Sequence, residues 1–356
     1  MVAEGVSGTL ARAVLIGAGQ IARQHLGCLE SIPGVEIAAV CDLSPSVARA
    51  AAERHRAKTW FTDYKLMLAE VRPDVVHVTT PPTSHFRLAM DSLAMDAHVI
   101  VEKPATITLA EVEQLLARAS DRRRMLLEDY NYLYSAATLE IRRLIESGEL
   151  GAVVHVDVAI CLNILGPEGF ADPNSPHPCL TMAGGAIADF LPHLASLAHC
   201  FIGPHVRAEA IWRKRSNTIL PYDEFRAMVD GERATASLSF SSAAQPDAFW
   251  LRVYGERVLA SANLFEKRFT TERLRPGPKP LQPLRNGLEE GRAIRNAAVG
   301  TLWRKFRGGP GSYDGLYELL RRTYRALGTT EAMPVSAQQV LEVNRLVDAL
   351  KPVRQA

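Results

Sequence analysis

The sequence predicts an α/β fold in which a parallel, doubly wound sheet is followed by a second domain built on an antiparallel sheet. Up to about residue 130, short apolar runs alternate with helical patterns, which is typical of parallel strands joined by crossover helices. Later segments alternate polar and apolar residues with a period of two, which indicates antiparallel strands with one solvated or partner-covered face. These segments are residues 206–212, 226–230, 234–241, 250–254 and 257–262.

The composition is that of a globular protein and excludes several functional classes. The chain has 356 residues, of which 47% are hydrophobic and 22% charged, and its formal net charge of +2 gives no global attraction to nucleic acid. Its five cysteines show no Cys-x-x-Cys spacing, so we expect neither a disulfide framework nor a metal site. We see no signal peptide and no apolar run of about 18 residues, so we expect a cytoplasmic protein without a membrane span.

A glycine-rich turn follows the apolar run at residues 13–16. It reads Gly17-Ala18-Gly19-Gln20-Ile21-Ala22, which is Gly-x-Gly-x-x-Ala between a strand and a helix. The first glycine permits a tight turn, the second lets the backbone approach a pyrophosphate, and the small third residue packs the helix on the strand. The motif predicts a Rossmann dinucleotide-binding domain. We expect its cofactor contacts at Gly17, Gly19, Gln20, Ile21 and Ala22.

Asp42 follows the next apolar run, residues 35–40, about twenty residues after the glycine loop. A carboxylate at this position accepts hydrogen bonds from both ribose hydroxyls of NAD and repels a 2′-phosphate. We therefore predict NAD as cofactor, with NADP left open because the preference rests on Asp42 alone. The alternative is that Asp42 is the N-cap of a helix that begins near Pro45.

Two further strand ends carry candidate cofactor contacts. Residues 74–79 lead into Thr80-Pro81-Pro82, which we expect to lie along the cofactor. His85 opens the next helix, and two interpretations of it stay open: contact with the nicotinamide, or a solvated ring in the first helical turn.

The run Val99–Val101 ends in Glu102, Lys103 and Pro104. Ligands bind just beyond the carboxyl ends of parallel strands, so Glu102 and Lys103 emerge where a ligand is expected. Pro104 stops the strand by withholding its N–H, and the Lys103–Pro104 bond is a candidate for the cis form. The alternative is an ordinary surface lysine at a strand end.

A helix predicted over residues 187–200 carries Asp189 and His193. Residues four apart share one helical face, so both side chains point to one site. An imidazole with a pKa near 6.5 is suited to proton transfer, and a neighbouring carboxylate orients it. The alternative makes Asp189 the N-cap, with Pro192 and His193 in the first turn, and this arrangement still presents both side chains together.

Residues 267–307 contain eleven lysines and arginines against three acidic residues, a local net charge of +8. Four prolines (Pro276, Pro278, Pro280 and Pro283) predict an extended loop in the first half. Ile294, Ala298, Leu302 and Phe306 predict a helical stripe, beside Trp303, in the second. The interpretations are an arm to a neighbouring subunit, a clamp for a phosphorylated substrate, a membrane-surface helix or a solvated insertion, and we favour subunit contact or insertion.

Together these motifs resemble the Gfo/Idh/MocA family of NAD(P)-dependent oxidoreductases, from about residue 12 to residue 263. The matching residues are Gly17-x-Gly19-x-x-Ala22, Thr80-Pro81-Pro82 with His85, Glu102-Lys103-Pro104, and Gly184-Gly185 followed by Asp189 and His193. The resemblance implies that Lys103 and His193 are catalytic with Asp189 assisting. It also implies a large, open, mostly antiparallel second sheet, association as a homodimer or homotetramer, and a polyhydroxylated substrate such as a sugar, an inositol or a sugar derivative.

The chain departs from the family pattern in two places. Phe190-Leu191-Pro192 stands where the family often has a glycine, so that Leu191 is expected to crowd the pocket. The basic segment at 267–307 is also unusual.

We predict a dinucleotide-binding domain at 1–130, a substrate-binding and oligomerisation domain at 131–334, and a helix at 335–350 that packs back on the first domain. The predicted reaction is hydride transfer between nicotinamide and a hydroxyl-bearing carbon. His193 takes the hydroxyl proton and Lys103 hydrogen-bonds the same oxygen. The alternatives are a non-catalytic dinucleotide-binding sensor or scaffold, and a lyase that uses tightly bound NAD.

Overall fold

A computed structural model describes residues 11–165, 169–172, 174, 177–273, 281–306 and 313–352. The chain forms two compact units. The first comprises Met1–Tyr130 and Leu316–Leu341, and the second comprises Asn131–Gly315 and Glu342–Ala356. Residues 316–334 thus pack with the first unit, although the sequence assigned them to the second domain. The helix predicted at 335–350 forms as one continuous helix, Ala337–Ala349. Its residues up to 341 belong to the first unit and those from 342 onward to the second.

The first unit is built on a six-stranded sheet with the order β3-β2-β1-β4-β5-β6. Every described strand pair in it is parallel, which confirms the predicted doubly wound sheet. Its strands are β1 (Ala11–Ile16), β2 (Val35–Cys41), β3 (Thr59–Phe61), β4 (Val75–Val78), β5 (His98–Val101) and β6 (Leu126–Glu128). The crossover helices are α1 (Gln20–Leu29), α2 (Pro45–Arg54), α3 (Tyr64–Val71), α4 (Pro82–Ala94) and α5 (Leu109–Asp121).

Local sequence explains where several of these helices begin. The Asp63 side chain accepts the N–H groups of Lys65 and Leu66 and so caps α3. Thr108 and Glu111 form a reciprocal capping box at the start of α5. These caps fix the helix starts, and the buried runs in β4 and β5 supply the apolar centre on which the helices pack.

The second unit is built on a seven-stranded sheet with the order β13-β12-β11-β7-β10-β9-β8. Among its described pairs, β7–β10 alone is parallel, so the prediction of a large, mostly antiparallel sheet is confirmed. The strands are β7 (Val153–Cys161), β8 (His205–Arg213), β9 (Glu224–Gly231), β10 (Thr235–Ser241), β11 (Ala248–Gly255), β12 (Val258–Asn263) and β13 (Arg268–Arg273). The later helices of the chain are α6 (Ala136–Glu146), α7 (Pro178–Thr181), α8 (Gly185–Ile202), α9 (Gln282–Phe306), α10 (Asp314–Leu327) and α11 (Ala337–Ala349).

The basic segment is more regular than the sequence predicted. Its first residues form the edge strand β13, and Pro283 lies in the first turn of α9, where a missing N–H costs nothing. Pro276, Pro278 and Pro280, for which a loop was predicted, lie outside the described residues. The helix predicted in the second half is confirmed, and it extends over Gln282–Phe306.

Helix α8 is the core helix of the second unit and packs on β7, β9 and β10. It has the length and composition of a membrane-crossing helix, but 83% of that window is buried inside the protein. An apolar helix that is buried on all sides is typical of a protein core.

Candidate active site

Gly17 makes the close approach of two loops possible. Its φ is +93°, and a Cβ there would lie 2.6 Å from Thr80 Cγ2 and 2.9 Å from Thr80 N. Any larger residue would therefore be strained and would push the Thr80 segment away. The Thr79 hydroxyl donates to the Gly17 carbonyl at 2.6 Å, so the two loops form one surface at the carboxyl edge of the sheet.

Gly19, unlike Gly17, borders open space that can hold a pyrophosphate. A Cβ at Gly19 would meet no described atom within 4 Å, and its φ of −72° is open to any residue. The fold itself therefore does not need glycine at this position. The open space lies at the N-terminus of α1, where backbone N–H groups and the helix dipole favour an anion. Together with Ala22, which is buried at 1% exposure where α1 packs on the sheet, the loop fits a dinucleotide.

Asp42 holds the glycine loop directly. Its Oδ2 accepts the N–H of Ala18 at 2.8 Å, and its Oδ1 accepts the N–H of Ser44 at 2.9 Å. The N-cap of α2 is Ser44, so the alternative that made Asp42 the cap is wrong. A carboxylate has about four acceptor positions, and two remain after these bonds. The carboxylate can therefore hold the loop and still accept ribose hydroxyls.

The Thr80 turn and His85 are rigidly held. Pro81 is the exposed N-cap of α4, Pro82 is its first residue, and the Ser84 hydroxyl donates to the Thr80 hydroxyl at 2.7 Å. His85 is fully buried, with Nε2 at 2.7 Å from the Thr80 carbonyl and Nδ1 at 2.9 Å from the carbonyl of Pro104. Burial lowers the pKa of His85, and the two carbonyls oppose this.

The alternative that gave His85 a solvated ring is therefore wrong. The two ring nitrogens of His85 connect the Thr80 turn to the Pro104 turn. Contact of His85 with the nicotinamide stays a prediction.

Strand β5 delivers Glu102 and Lys103 at its carboxyl end. Glu102 is buried and its N–H donates to the carbonyl of Val78, whereas Lys103 is half-buried. The carboxylate of Glu102 accepts the backbone N–H of Lys103 at 3.2 Å through Oε2. The Lys103–Pro104 peptide, a candidate for the cis form from the sequence, is cis.

A buried polar network lies behind these residues, and the sequence did not predict it. The network is a chain of hydrogen bonds: Glu102 Oε1 lies 3.0 Å from His25 Nε2, His25 Nδ1 lies 2.9 Å from His77 Nδ1, and His77 Nε2 lies 2.8 Å from the Tyr324 hydroxyl. Asp129 Oδ2 lies 3.6 Å from His25 Nε2. The network links α1, β4, the ends of β5 and β6, and α10 within the first unit.

The charges of the network follow from its surroundings. Burial lowers the pKa of His25, but Asp129 and Glu102 outweigh burial and raise it to about 9. Burial and the charge of His25 keep the pKa of His77 far below its usual value. A charged His25 therefore donates from Nδ1 to a neutral His77, whose Nε2–H donates to the hydroxyl oxygen of Tyr324.

The two carboxyls of the network differ. Burial raises the pKa of Glu102, but His25 and Lys103 outweigh burial and hold it below its usual value. Burial and the neighbouring Glu102 raise the pKa of Asp129 to about 7. At neutral pH the network thus holds a His25–Glu102 ion pair beside a carboxyl that titrates.

In the second unit, Asp189 and His193 lie inside α8, each at 5% exposure. The helix begins at Gly185 after the N-cap Gly184, so Asp189 is not the N-cap and that alternative is wrong. Pro192 also lies inside the helix, where it cannot donate to the carbonyl one turn earlier.

The helix starts at Gly185, two residues earlier than predicted, and Gly185 itself has a φ of +59° and lies against Pro221. A Cβ at Gly185 would lie 2.8 Å from Pro221 Cδ.

His193 sits among aromatic rings. Tyr132 meets it edge to face with centroids 4.8 Å apart, and the Phe190 ring lies 6.1 Å away. Cys179 Sγ donates to Asp189 Oδ2 at 3.2 Å. Leu191 is buried at 1% exposure, and the large rings that the structure places beside His193 are those of Tyr132 and Phe190. The His193 imidazole therefore lies against an aromatic, apolar wall.

Two groups of side chains have the spacing of metal ligands within the described residues. In each, the ligand atoms lie within 4.8 Å of one another. The groups are His177, Cys179 and Asp189, and His25, Glu102 and Asp129. The Cys179–Asp189 and His25–Glu102 hydrogen bonds account for the clustering without an ion.

Comparison with known proteins identifies the family. Residues 11–130 match the model of an oxidoreductase family with an NAD-binding Rossmann fold, and residues 138–260 match the GFO/IDH/MocA C-terminal domain. The chain belongs to the Gfo/Idh/MocA family of NAD-binding oxidoreductases, which confirms the resemblance seen in the sequence.

Several relatives in sequence are named as dehydrogenases of sugars or inositols. The D-glucoside 3-dehydrogenase of Escherichia coli K12 is 28% identical over 193 residues, which cover 54% of each chain. The inositol 2-dehydrogenase of Salmonella typhimurium is 28% identical over 148 residues, covering 41% of this chain and 44% of the relative. The matches thus span about half the length of these curated relatives.

Solved structures share the whole fold. The WlbA dehydrogenase of Bordetella pertussis, in complex with NADH and UDP-GlcNAcA, superposes with a TM-score of 0.78 at 19% identity, covering 97% of this chain and 96% of that one. A levoglucosan dehydrogenase in complex with NADH and levoglucosan gives 0.77 at 16% identity, with 96% of each chain covered.

Proposed function

We propose that the protein is an NAD-dependent dehydrogenase or reductase that acts on a hydroxyl-bearing carbon of a sugar, an inositol or a sugar derivative. The observation that carries the proposal is Lys103, half-buried at the end of β5 in a unit whose glycine loop and Asp42 fit a dinucleotide. Asp189 and His193, four residues apart on α8, supply the proton-transferring groups. Relatives named as glucoside and inositol dehydrogenases support this substrate class.

Each residue has a separate role in this proposal. NAD, when bound, supplies the hydride acceptor. The N–H groups at the start of α1 hold the pyrophosphate, and Asp42 holds the ribose. His193 takes the proton of the substrate hydroxyl, while the Lys103 ammonium hydrogen-bonds the same oxygen and stabilises its developing negative charge. Asp189 orients His193, and Phe190 with Tyr132 excludes water from the imidazole.

The proposal requires Lys103 and His193, which belong to different units, to reach one substrate hydroxyl. A direct test is to mix the NAD complex with a panel of sugars, inositols and glycosides and to follow NADH absorbance by stopped flow. We expect NADH to form with a subset of the panel, at a rate that falls when the reacting carbon carries deuterium. Tight NAD binding with no NADH formed across the panel would instead favour the sensor or scaffold. Product formation with no net NADH, from enzyme that retains NAD through purification, would favour the lyase.

We also propose a homodimer or homotetramer that forms through the second sheet, in a cytoplasmic protein. Ile211 and Met228 support the interface, since they remain 58% and 57% exposed on β8 and β9. The five free cysteines agree with a reducing compartment. Light scattering on an Ile211→Asp, Met228→Asp variant tests the interface, because buried carboxylates would dissociate the assembly.

A further inference from the structure

The side of helix α9 that faces the protein carries no large apolar residue among those whose burial the structure describes. The helix packs beside β13, and its shielded positions are polar or small. At about 100° per residue, these positions fall within about 60° of one another. They are Gln282, Asn286, Glu289, Ala293 and Gly300.

The opposite side of α9 is apolar and exposed. Leu284, Leu288 and Val299 are 59%, 55% and 51% exposed, and their positions span about 60° of the helix surface, centred about 140° from the shielded side. Leu281, just before the helix, is 41% exposed and extends the same stripe. A helix that packs on its own protein normally has the reverse pattern, with the apolar face inward. The stripe therefore marks a surface that is covered by something else.

The charges around the stripe identify the partner's chemistry. Arg292 and Arg295 are exposed and fall on the same side as the leucines, whereas Glu289 and Glu290 lie on other sides of the helix. The segment 267–307 that contains α9 has a net charge of +8. An apolar stripe with arginines and no carboxylate on its face fits a surface that is both apolar and negatively charged.

We propose that α9 binds an anionic lipid surface. The helix lies in the plane of the headgroups, with Leu281, Leu284, Leu288 and Val299 entering the acyl boundary. Arg292 and Arg295 lay their apolar stems along this boundary and reach lipid phosphates with their guanidinium groups. This interaction is independent of the proposed chemistry. A second copy of the chain fits less well, since two faces that each carry Arg292 and Arg295 without a carboxylate would repel when they meet.

The test uses the full-length protein and sedimentation with vesicles of phosphatidylcholine alone or mixed with phosphatidylglycerol. We expect binding to the mixed vesicles, weak binding to the neutral ones, and a loss of binding as salt is raised. Replacing Arg292 and Arg295 by glutamine should weaken binding to anionic vesicles about 30-fold, since each arginine near such a surface contributes roughly a factor of five.

A matched pair of variants separates the stripe from the helix as a whole. Leu288→Glu places a carboxylate on the stripe, and Ile294→Glu makes the same change on another side of α9, where Ile294 is 38% exposed. We expect Leu288→Glu to weaken binding at least about tenfold and Ile294→Glu to leave it within about threefold. Both variants should keep the wild-type melting temperature. Equal sedimentation with neutral and anionic vesicles, equal effects of the two variants, or a loss of self-association in Leu288→Glu without any vesicle binding would each overturn the proposal.

Discussion

His25 Nε2 and Glu102 Oε1 lie 3.0 Å apart, and both side chains are buried in the first unit. This pair connects the helix that follows the glycine loop to the strand end that carries Lys103. Taking one partner away from a buried ion pair leaves the other charge without compensation, which costs about 3–5 kcal/mol.

We therefore expect His25→Phe to lower the free energy of unfolding by about 3–5 kcal/mol, measured with urea. Glu102→Gln should also destabilise the protein. The double variant should lose less than the sum of the two single losses, because no buried charge of the pair is then left alone. Strict additivity in this double-mutant cycle would show that the two groups do not interact.

The same network predicts how stability depends on pH. The pKa of Asp129 is raised from 3.8 to about 7, so the folded state holds its proton more tightly than the unfolded state. Its contribution to stability is complete below pH 3.8 and is lost as pH rises to about 7. The pKa of His25 is raised from 6.5 to about 9, so its contribution is complete below pH 6.5 and is lost as pH rises through about 9.

We expect the free energy of unfolding of Asp129→Asn, relative to that of the wild type, to rise by roughly 2–4 kcal/mol in total as pH increases from about 4 to 7. Urea unfolding of both proteins across this range measures the difference. A difference that stays constant with pH would mean that Asp129 does not titrate in the folded protein.

The two glycines of the loop should respond differently to alanine. Gly17→Ala meets both a positive φ and the Thr80 segment, so we expect it to lower the free energy of unfolding by about 1–3 kcal/mol and to impair NAD binding. Gly19→Ala meets open space, so stability should change by less than about 0.5 kcal/mol while NAD affinity falls at least about tenfold. Thermal melts and NADH fluorescence titrations measure the two effects. Full NAD affinity in Gly19→Ala would place the pyrophosphate elsewhere.

Asp42→Asn should change which cofactor is preferred. The amide oxygen can still accept the N–H of Ala18 and so hold the glycine loop, whereas the N–H of Ser44 loses its acceptor and the negative charge that repels a 2′-phosphate is gone. We expect NAD to bind more weakly and the ratio of NADP to NAD affinity to rise about tenfold or more. Parallel titrations with NADH and NADPH measure this ratio. An unchanged ratio would contradict the assignment of Asp42 to the ribose.

Lys103→Ala and His193→Ala should each lower turnover by about 10²- to 10⁴-fold, because each removes a group that acts on the reacting oxygen. NAD affinity should stay nearly unchanged in both. Turnover of the identified substrate and NADH titrations provide the two readouts. Near wild-type turnover in either variant would remove that residue from the mechanism.

The sequence predicted the features that are local in the chain. The glycine loop, Asp42 and the Glu102-Lys103-Pro104 turn each need only a strand and the few residues that follow it, so their spacing carries the information. The network of His25, His77 and Tyr324 was missed because its members are brought together only by the packing of the sheet and α10. One signal was available: His77 interrupts the buried run Val75–Val78, and a buried polar group in a central strand needs a hydrogen-bonding partner.

The errors also have physical causes. Pro192 favoured a helix that starts near Asp189, because proline is normally tolerated in the first turn. The helix begins at Gly185 instead. Burial of most of its residues in the second unit stabilises it despite the internal proline. Strand β13 was not predicted because its residues belong to a highly charged segment. An edge strand pairs through its backbone on one side only and can leave charged side chains in solvent. No helix was assigned to residues 314–327.

Tyr324 has a consequence for how the protein is made. The hydroxyl that binds His77 Nε2 is synthesised almost 200 residues after the last strand of the first sheet, Leu126–Glu128. At about 5–20 residues per second, a ribosome needs roughly 10–40 s to reach it. During that interval His77 in the nascent nucleotide-binding unit lacks the hydroxyl that accepts from its Nε2, while the entire second sheet emerges as an insertion between two parts of the first unit. Early release or truncation of the chain before residue 324 would leave this unit permanently in that state.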